Sequence, residues 1–223
     1  MNNPKLNRIL SALPEPEYQR LLVHLEPVRL SMDQVLLEAQ QQCELVYFPL
    51  KGIVSLISIM ENKSTTEIGL IGREGMVGTL QLLGEGICQS LSVVQVEGTA
   101  MQIKAEVLRA ELEQSRVLQK LLLRYALKLF NQVSQGAACN NHHSVKQRTA
   151  RWLLMLDERS DDTLSMTQQL LAKMLGVRRT GISEVANEIK QQGIIDYRRG
   201  KITILDRQAL ETLACECYQL IRE

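Results

Sequence analysis

Residues 166–193 read MTQQLLAKMLGVRRTGISEVANEIKQQG, and this stretch decides the fold of the C-terminal part of the chain. Thr167 is a suitable N-cap for a first helix, and Gly176 supplies a tight turn after it. A second helix is predicted over residues 178–192, with Gly193 as its left-handed cap. Two helices joined by a short glycine-containing turn form a helix-turn-helix, a motif whose second helix enters the DNA major groove.

The residues that follow predict a two-stranded wing. The sequence IIDYRRGKITILD at 194–206 reads as two short strands about a tight turn at Arg199-Gly200. Over residues 163–205 there are seven basic and three acidic side chains, whereas the whole chain is almost neutral at +1. A local cationic patch on a neutral protein indicates a polyanion bound at one place.

Ten side chains of the predicted helix-turn-helix and wing are predicted to contact DNA. Arg178 and Arg179 begin the second helix, where arginine can make two hydrogen bonds to guanine O6 and N7. Glu184 either accepts from a cytosine amino group or orients an arginine. The start of the first helix and the wing are predicted to contact phosphates. The full set is Arg178, Arg179, Thr180, Ser183 and Glu184 in the groove, Thr167 and Gln168 on the first helix, and Arg198, Arg199 and Lys201 on the wing.

The N-terminal part has the pattern of an antiparallel β-roll. Between Val28 and Lys104, short runs rich in Val, Ile and Leu, such as 45–48 and 53–59, are separated by Gly, Asn, Asp or Pro. We therefore predict an α+β fold, with a jelly-roll-like N-terminal β-roll, a long dimerisation helix and a C-terminal winged helix-turn-helix. The predicted domains are 1–116 for the roll, 117–143 for the long helix with a hinge at 140–143, and 144–223 for the DNA-binding domain.

The long helix carries two apolar stripes, so it needs two partners. A helix that lies on the roll uses one face, and the other is predicted to pack against a second copy in a parallel coiled-coil-like dimer. Burial of both faces in one larger core is the alternative. The stripe assigned to the dimer is Leu118, Leu122, Tyr125, Leu129, Gln132, Gly136 and Cys139, and the second stripe is Leu123, Leu127, Phe130, Ser134 and Ala137.

The whole chain resembles the CRP/FNR superfamily of bacterial transcription factors. The resemblance is carried by YFPLKGIVSLI at 47–57, GREGMVG at 72–78, LLAKMLGVRRTGISEVANEIKQQGII at 170–195 and GKITILD at 200–206. It implies a homodimer that reads a palindromic site in double-stranded DNA, with RNA polymerase as a further partner. It also implies an effector that is sensed between the roll and the long helix.

The sequence departs from the cyclic-nucleotide-binding members of this superfamily. Their Gly-Glu-Leu and Arg-Ser-Ala triplets fall on residues 78–80 and 89–91, so Thr79 replaces the acid and Gln89 replaces the arginine. An amide cannot replace the charge-assisted bidentate bond to a phosphate, so we expect that cyclic AMP does not bind tightly. The effector stays unidentified. Its candidate binding residues are Met76, Val77, Thr79, Gln89, Ser90, Tyr125 and Leu129.

Two other classes of protein fit the sequence less well. A cupin-like barrel enzyme would need clustered histidines, but residues 28–104 contain none, and no nucleophile elbow or Walker loop occurs. No catalytic residue is therefore predicted. A ligand-sensing module without DNA binding would have no use for the wing arginines.

The cysteines and the apolar runs indicate the compartment. The five cysteines are odd in number and irregularly spaced, and no run approaches 18 apolar residues, so we expect a cytoplasmic protein without a membrane partner. The first cysteine is Cys43, which argues against the N-terminal iron–sulfur cluster of oxygen-sensing relatives. Cys139 and His143 are one helical turn apart, but no third ligand is evident, and Cys215 and Cys217 are too close in sequence for a zinc knuckle. No cofactor and no metal site are predicted.

Overall fold

The computed structural model describes residues 3–159, 164–198 and 200–222. The predicted α+β class is confirmed: an antiparallel sheet is followed by a long helix and a winged helix-turn-helix. The chain forms two compact units. The first consists of Met1–Ile57 and Leu70–Phe130, and the second of Ser58–Gly69 and Asn131–Glu223. Every helix of the described ranges is too short or too polar to span a bilayer.

The first unit is built on a five-stranded sheet. Its strands follow the order β1-β5-β3-β4, and β2 also pairs with β5, so β5 is hydrogen-bonded to three strands. Large apolar side chains such as Leu30, Phe48 and Ile103 are fully buried in this unit. The elements are α1 (Arg8–Ser11), α2 (Glu15–Leu22), β1 (Glu26–Leu30), β2 (Val35–Leu37), β3 (Leu45–Ile59), β4 (Thr65–Ile71), α3 (Thr79–Leu83), β5 (Leu91–Lys104) and α4 (Ala105–Gln114).

The longest strand, β3, joins two runs that the sequence presents as separate. Its pairing with β5 changes register between Pro49 and Val54, and Gly52 has a φ of 90° at this point. A left-handed residue of this kind lets the strand kink without losing the partner on either side. One bent strand therefore replaces the two predicted short ones.

The second unit contains the helix-turn-helix and the wing. A three-stranded sheet with the order β6-β8-β7 forms the wing, and its strands β7 and β8 follow the two helices. The segment Ser58–Gly69, which holds the end of β3, the turn after it and most of β4, also belongs to this unit. The elements, beginning with the long helix that serves both units, are α5 (Arg116–His142), α6 (Val145–Asp157), β6 (Leu164–Ser165), α7 (Gln168–Leu175), α8 (Arg179–Gln191), β7 (Ile195–Arg198), β8 (Lys201–Ile204), α9 (Arg207–Leu213) and α10 (Cys217–Ile221).

Most of the predicted hinge at 140–143 is helical. Helix α5 continues through these residues to His142, and the side-chain amide of Asn141 donates to the carbonyl of Ala137 at 3.2 Å. This bond compensates for the weak helix propensity of asparagine. The break is confined to the two residues before α6, where Ser144 and Gln147 form a reciprocal capping box.

Candidate nucleic-acid interface

The helix-turn-helix forms from local signals at its ends. The hydroxyl of Thr167 accepts a hydrogen bond from the Leu170 N–H at 3.1 Å and caps α7. Gly176 has a φ of 63° and ends the helix, and the next N–H, of Val177, donates back to the Ala172 carbonyl at 3.0 Å. This is a glycine C-cap that turns the chain sharply into α8.

Helix α8 has one buried face and one exposed face. Ile182, Ala186 and Ile189 are buried, at spacings of four and three residues that place them on one side of the helix. The two arginines at its start are exposed, as are Thr180 and Glu184. Of the five residues predicted to face the groove, four are exposed and Ser183 is half-buried. The four exposed residues are Arg178, Arg179, Thr180 and Glu184.

Two of the predicted contact residues also hold the motif together. The hydroxyl of Ser183 donates to the side-chain oxygen of Gln168 at 2.6 Å, which ties α8 to the start of α7. The backbone N–H of Gln168 donates to the phenol oxygen of Tyr197 at 3.1 Å, which ties α7 to the wing. The amide oxygen of Gln168 is therefore engaged, and a phosphate contact would come from its amide nitrogen.

The wing is fixed to α8 by an ion-pair network that the sequence did not indicate. Lys190, in the last turn of α8, lies 3.0 Å from a carboxylate oxygen of Asp196 and donates to the Tyr197 carbonyl at 2.9 Å. Arg198 lies 2.9 Å from the other oxygen of Asp196. The hydrogen bond from Lys190 and the charge of Arg198 lower the pKa of Asp196, so this carboxylate stays ionised. The network positions one side of the wing relative to the recognition helix.

The tip of the wing carries the other predicted cations. Arg198 pairs with Lys201 across the β7–β8 ladder, and both side chains are exposed. Arg199 lies outside the described residues. Arg198 and Lys201 therefore lie at the same end of the hairpin, as the sequence predicts.

The residues predicted to bind an effector are mostly interior. Met76, Val77, Thr79, Tyr125 and Leu129 are buried, whereas Ser90 is half-buried and Gln89 is exposed. The hydroxyl of Thr79 donates to the Met76 carbonyl at 2.7 Å. Gly75 lies so close to the Tyr125 ring that an added Cβ would be 2.0 Å from it.

These contacts give the GREGMVG loop a packing role. Its glycine at position 75 permits the long helix to lie directly on the roll. Asn7, which is fully buried, donates to the carbonyls of both Pro49 and Gly75 and fixes the loop from the other side.

An open cavity of about 600 Å³ lies elsewhere in the first unit. It is formed by the chain before β3 and the start of α4, and no sequence pattern indicated it. Its wall includes Cys43, whose thiol has a pKa raised to about 12 by burial and is therefore neutral at physiological pH. The lining residues are Gln42, Cys43, Glu44, Leu45, Lys104, Ala105, Glu106 and Arg109, none of which is a predicted effector contact.

The stripe of α5 that is predicted to face a second copy is covered within the single chain. Leu118, Leu122, Tyr125, Leu129, Gln132 and Cys139 are buried within the single chain, and Gly136 is half-buried, so they are not available to a partner. The second stripe is exposed instead. Leu123, Leu127 and Phe130 have exposed fractions of 54 %, 60 % and 64 %, and Ser134 and Ala137 on the same stripe are exposed too.

The isolated cysteines and histidine of the sequence are neighbours in the structure. Cys139, His143, Cys215 and Cys217 lie together in the second unit, so the expectation that Cys139 and His143 lack a third ligand nearby is wrong. Burial raises the pKa of the Cys139 thiol to about 12, and the charge of Arg151 opposes this rise.

Comparison with solved structures finds the same fold in several bacterial proteins. FixK2 from Bradyrhizobium japonicum aligns with a TM-score of 0.73 at 15 % identity, over 86 % of this chain and 98 % of that protein. A putative CRP/FNR-family regulator from Eubacterium rectale also has a TM-score of 0.73, at 17 % identity over 94 % and 98 % of the two chains. A CRP/FNR-family regulator from Thermus thermophilus gives 0.69 at 22 % identity, over 85 % and 98 %.

Family models match both parts of the chain. The model of the cyclic nucleotide-binding domain matches residues 27–115, and that of the Crp-like helix-turn-helix domain matches residues 147–213. A comparison with curated protein sequences found no significant match. The chain therefore joins a domain of the cyclic nucleotide-binding family to a domain of the Crp-like helix-turn-helix family, and it shares its fold with solved structures described as CRP/FNR-family regulators.

Proposed function

We propose that the protein is a homodimeric regulator of transcription that reads a palindromic DNA site with α8 in the major groove. The observation that carries the proposal is the pair of exposed arginines, Arg178 and Arg179, at the start of a helix whose opposite face is buried. The first turn of a recognition helix is the part that meets base edges. A guanidinium there can form the bidentate contact to guanine that contributes about 1–3 kcal/mol of discrimination.

The remaining contacts fall into a base-reading group and a phosphate group. Glu184 is exposed one to two turns further along α8, within reach of a base or of an arginine. Thr167 and Lys201 are exposed at the start of α7 and on the wing, where phosphate contacts fix the docking angle. The Lys190–Asp196–Arg198 network supports this division, because it couples the wing to the reading helix.

The second copy is proposed to pack on the exposed stripe of α5. Leu123, Leu127 and Phe130 continue to Ser134 and Ala137 in alternating steps of four and three residues, which is the spacing of a coiled-coil seam. An exposed apolar stripe of this length on a helix is rare in a monomeric protein. A twofold arrangement about this seam presents two copies of α8 to one duplex.

Cyclic AMP is not proposed as the effector. Thr79 offers no carboxylate to a ribose hydroxyl, and its own hydroxyl is engaged with the Met76 carbonyl. Gln89 is exposed and uncharged, so it cannot neutralise a cyclic phosphate. Isothermal calorimetry should therefore detect no binding of cyclic AMP at micromolar concentrations. From the family resemblance we also propose that the DNA-bound protein contacts RNA polymerase. This contact requires a bound promoter, so it is tested after DNA binding.

A DNA-binding titration tests the proposal directly. A site is first selected from random duplexes with the full-length protein, and affinity for that site and for random duplex is then measured by fluorescence anisotropy. Arg179→Ala should weaken binding to the selected site by roughly 5- to 150-fold while changing binding to random duplex much less. Arg29→Ala, an exposed arginine in β1 of the first unit, is the matched control and should change neither. An equal loss on both duplexes would refute base reading by Arg179.

A further inference from the structure

Four side chains with metal-ligating atoms meet where α5 ends. Cys139 lies in the last turn of α5 and His143 follows one turn later, while Cys215 precedes α10 and Cys217 begins it. Their four donor atoms are all within 4.8 Å of one another. We propose that these residues form a Cys3His site that binds one zinc ion.

The distances between donor atoms match a single tetrahedral ion. The sulfur atoms of Cys139 and Cys215 are 3.5 Å apart, and the sulfur of Cys217 is 3.5 Å from Nδ1 of His143. With Zn–S bonds of about 2.3 Å and a Zn–N bond of about 2.0 Å, tetrahedral geometry places two sulfurs about 3.8 Å apart and a sulfur and a nitrogen about 3.5 Å apart. Small side-chain shifts therefore bring all four donors onto one ion.

The composition and burial of the cluster favour zinc in a structural role. The three cysteines are 0 %, 4 % and 1 % exposed, and His143 is partly exposed. Thiolate and imidazole donors select zinc over magnesium or calcium, which prefer oxygen. Four protein ligands complete the coordination and leave no position for water or substrate, as in structural zinc sites.

Two neighbouring side chains orient the proposed ligands. A carboxylate oxygen of Glu216 lies 3.2 Å from Nε2 of His143, so the proton is held on Nε2 and the lone pair of Nδ1 points to the cysteines. The side-chain amide of Gln135 donates to the sulfur of Cys217 at 3.1 Å, which stabilises a thiolate. Metal-bound histidines commonly have a carboxylate or carbonyl partner of this kind.

A buried arginine balances the negative charge of the proposed zinc site. Zinc with three thiolates carries a net charge of −1. The guanidinium of Arg151, on α6, is 2 % exposed and interacts electrostatically with the sulfur of Cys139. A buried cation is costly unless negative charge is near it, so the two groups stabilise each other.

The ion would fasten the end of α5 to the C-terminal segment. Residues 139 and 217 bracket α6, both helices of the helix-turn-helix and the wing, so one ion closes the chain around the whole DNA-binding region. Zinc that binds only the folded form adds its binding free energy to folding. Removing it should lower the melting temperature of the full-length protein. The inference does not rest on the proposed DNA binding.

The wild-type protein tests the site without any mutation. Full-length protein purified under reducing conditions should contain one zinc per chain by elemental mass spectrometry. After chelation, titration with Co²⁺ should give the intense visible bands of a tetrahedral thiolate complex, with an end point at one ion per chain. The absence of both zinc and these bands would overturn the proposal, as would an iron–sulfur chromophore after anaerobic purification.

Variants then assign the ligands. Cys215→Ser and His143→Gln should each weaken Co²⁺ binding more than tenfold, whereas Cys43→Ser, a buried cysteine of the first unit, should leave it unchanged. Unchanged Co²⁺ affinity in Cys215→Ser would overturn the assignment. A zinc-loaded protein that fails to bind any duplex would refute the proposed function and leave the zinc site standing.

Discussion

The exposed stripe of α5 gives a quantitative test of the proposed dimer. Leu127 has 60 % of its surface exposed in the single chain. Complete burial of a leucine side chain contributes about 1.5–3 kcal/mol, so burial of that fraction against a partner contributes about 1–2 kcal/mol. A twofold interface contains the residue twice, and Leu127→Ala should therefore weaken dimerisation by about 2–4 kcal/mol, or roughly 30- to 700-fold in Kd.

Sedimentation equilibrium over a dilution series measures this Kd. Leu205→Ala is the matched control, because Leu205 is also 60 % exposed but lies after the wing and not on α5. Its dimerisation should equal that of the wild type. A Kd that is unchanged in Leu127→Ala, or shifted equally in both variants, would refute the seam.

Three further changes probe the packing, the pH dependence and the wing. Gly75→Ala should lower the urea midpoint, because the new Cβ would lie 2.0 Å from the Tyr125 ring and overpacking of this kind costs about 1–3 kcal/mol. Tyr218→Phe should flatten the loss of stability in alkali. Burial and the hydrogen bond to Glu158 raise the pKa of Tyr218 to about 12, so its contribution is complete below about pH 10 and is lost as the pH rises towards 12. Asp196→Asn should strengthen binding to random duplex and steepen its log–log salt dependence by roughly one to two, because it removes a carboxylate beside two cations. An unchanged midpoint, parallel alkaline curves or an unchanged salt slope would contradict these expectations in turn.

The helix-turn-helix could be predicted from sequence because its signals are local. The hydroxyl of Thr167 and the left-handed Gly176 each act within a few residues of their own position, and both have the predicted roles. The wing follows for the same reason, since a tight turn sets the pairing of Arg198 with Lys201. The ion pair between Lys190 and Asp196 was missed because nothing in the spacing shows which cation faces which acid.

The faces of the long helix could not be assigned by periodicity. Both stripes of α5 are apolar at helical spacing, so the pattern predicts two packing surfaces but does not show which one lies on the roll. The close approach of Tyr125 to Gly75 decides which stripe packs on the roll, and these residues are 50 positions apart in the chain. The helical state of the predicted hinge residues was not foreseen, because propensity alone underestimates asparagines that bond back to their own helix.

The cluster of three cysteines and a histidine is the clearest feature that could not be predicted from the sequence. Cys139 and Cys215 are separated by 76 residues, and the sequence treats them as two unrelated weak patterns. Folding of the intervening domain brings their sulfur atoms to 3.5 Å. No local pattern of residue spacing predicts that two such distant cysteines become neighbours.

Methylation interference on the selected duplex tests the central claim most directly. If Arg178 and Arg179 read guanine N7 from two symmetric helices, methylation should block binding at guanines in two half-sites whose centres are about one helical turn apart. In Arg179→Ala the interference at one guanine in each half-site should disappear while the phosphate contacts persist. Interference at a single unpaired site, or a pattern unchanged by the substitution, would contradict base reading by a twofold pair of these helices.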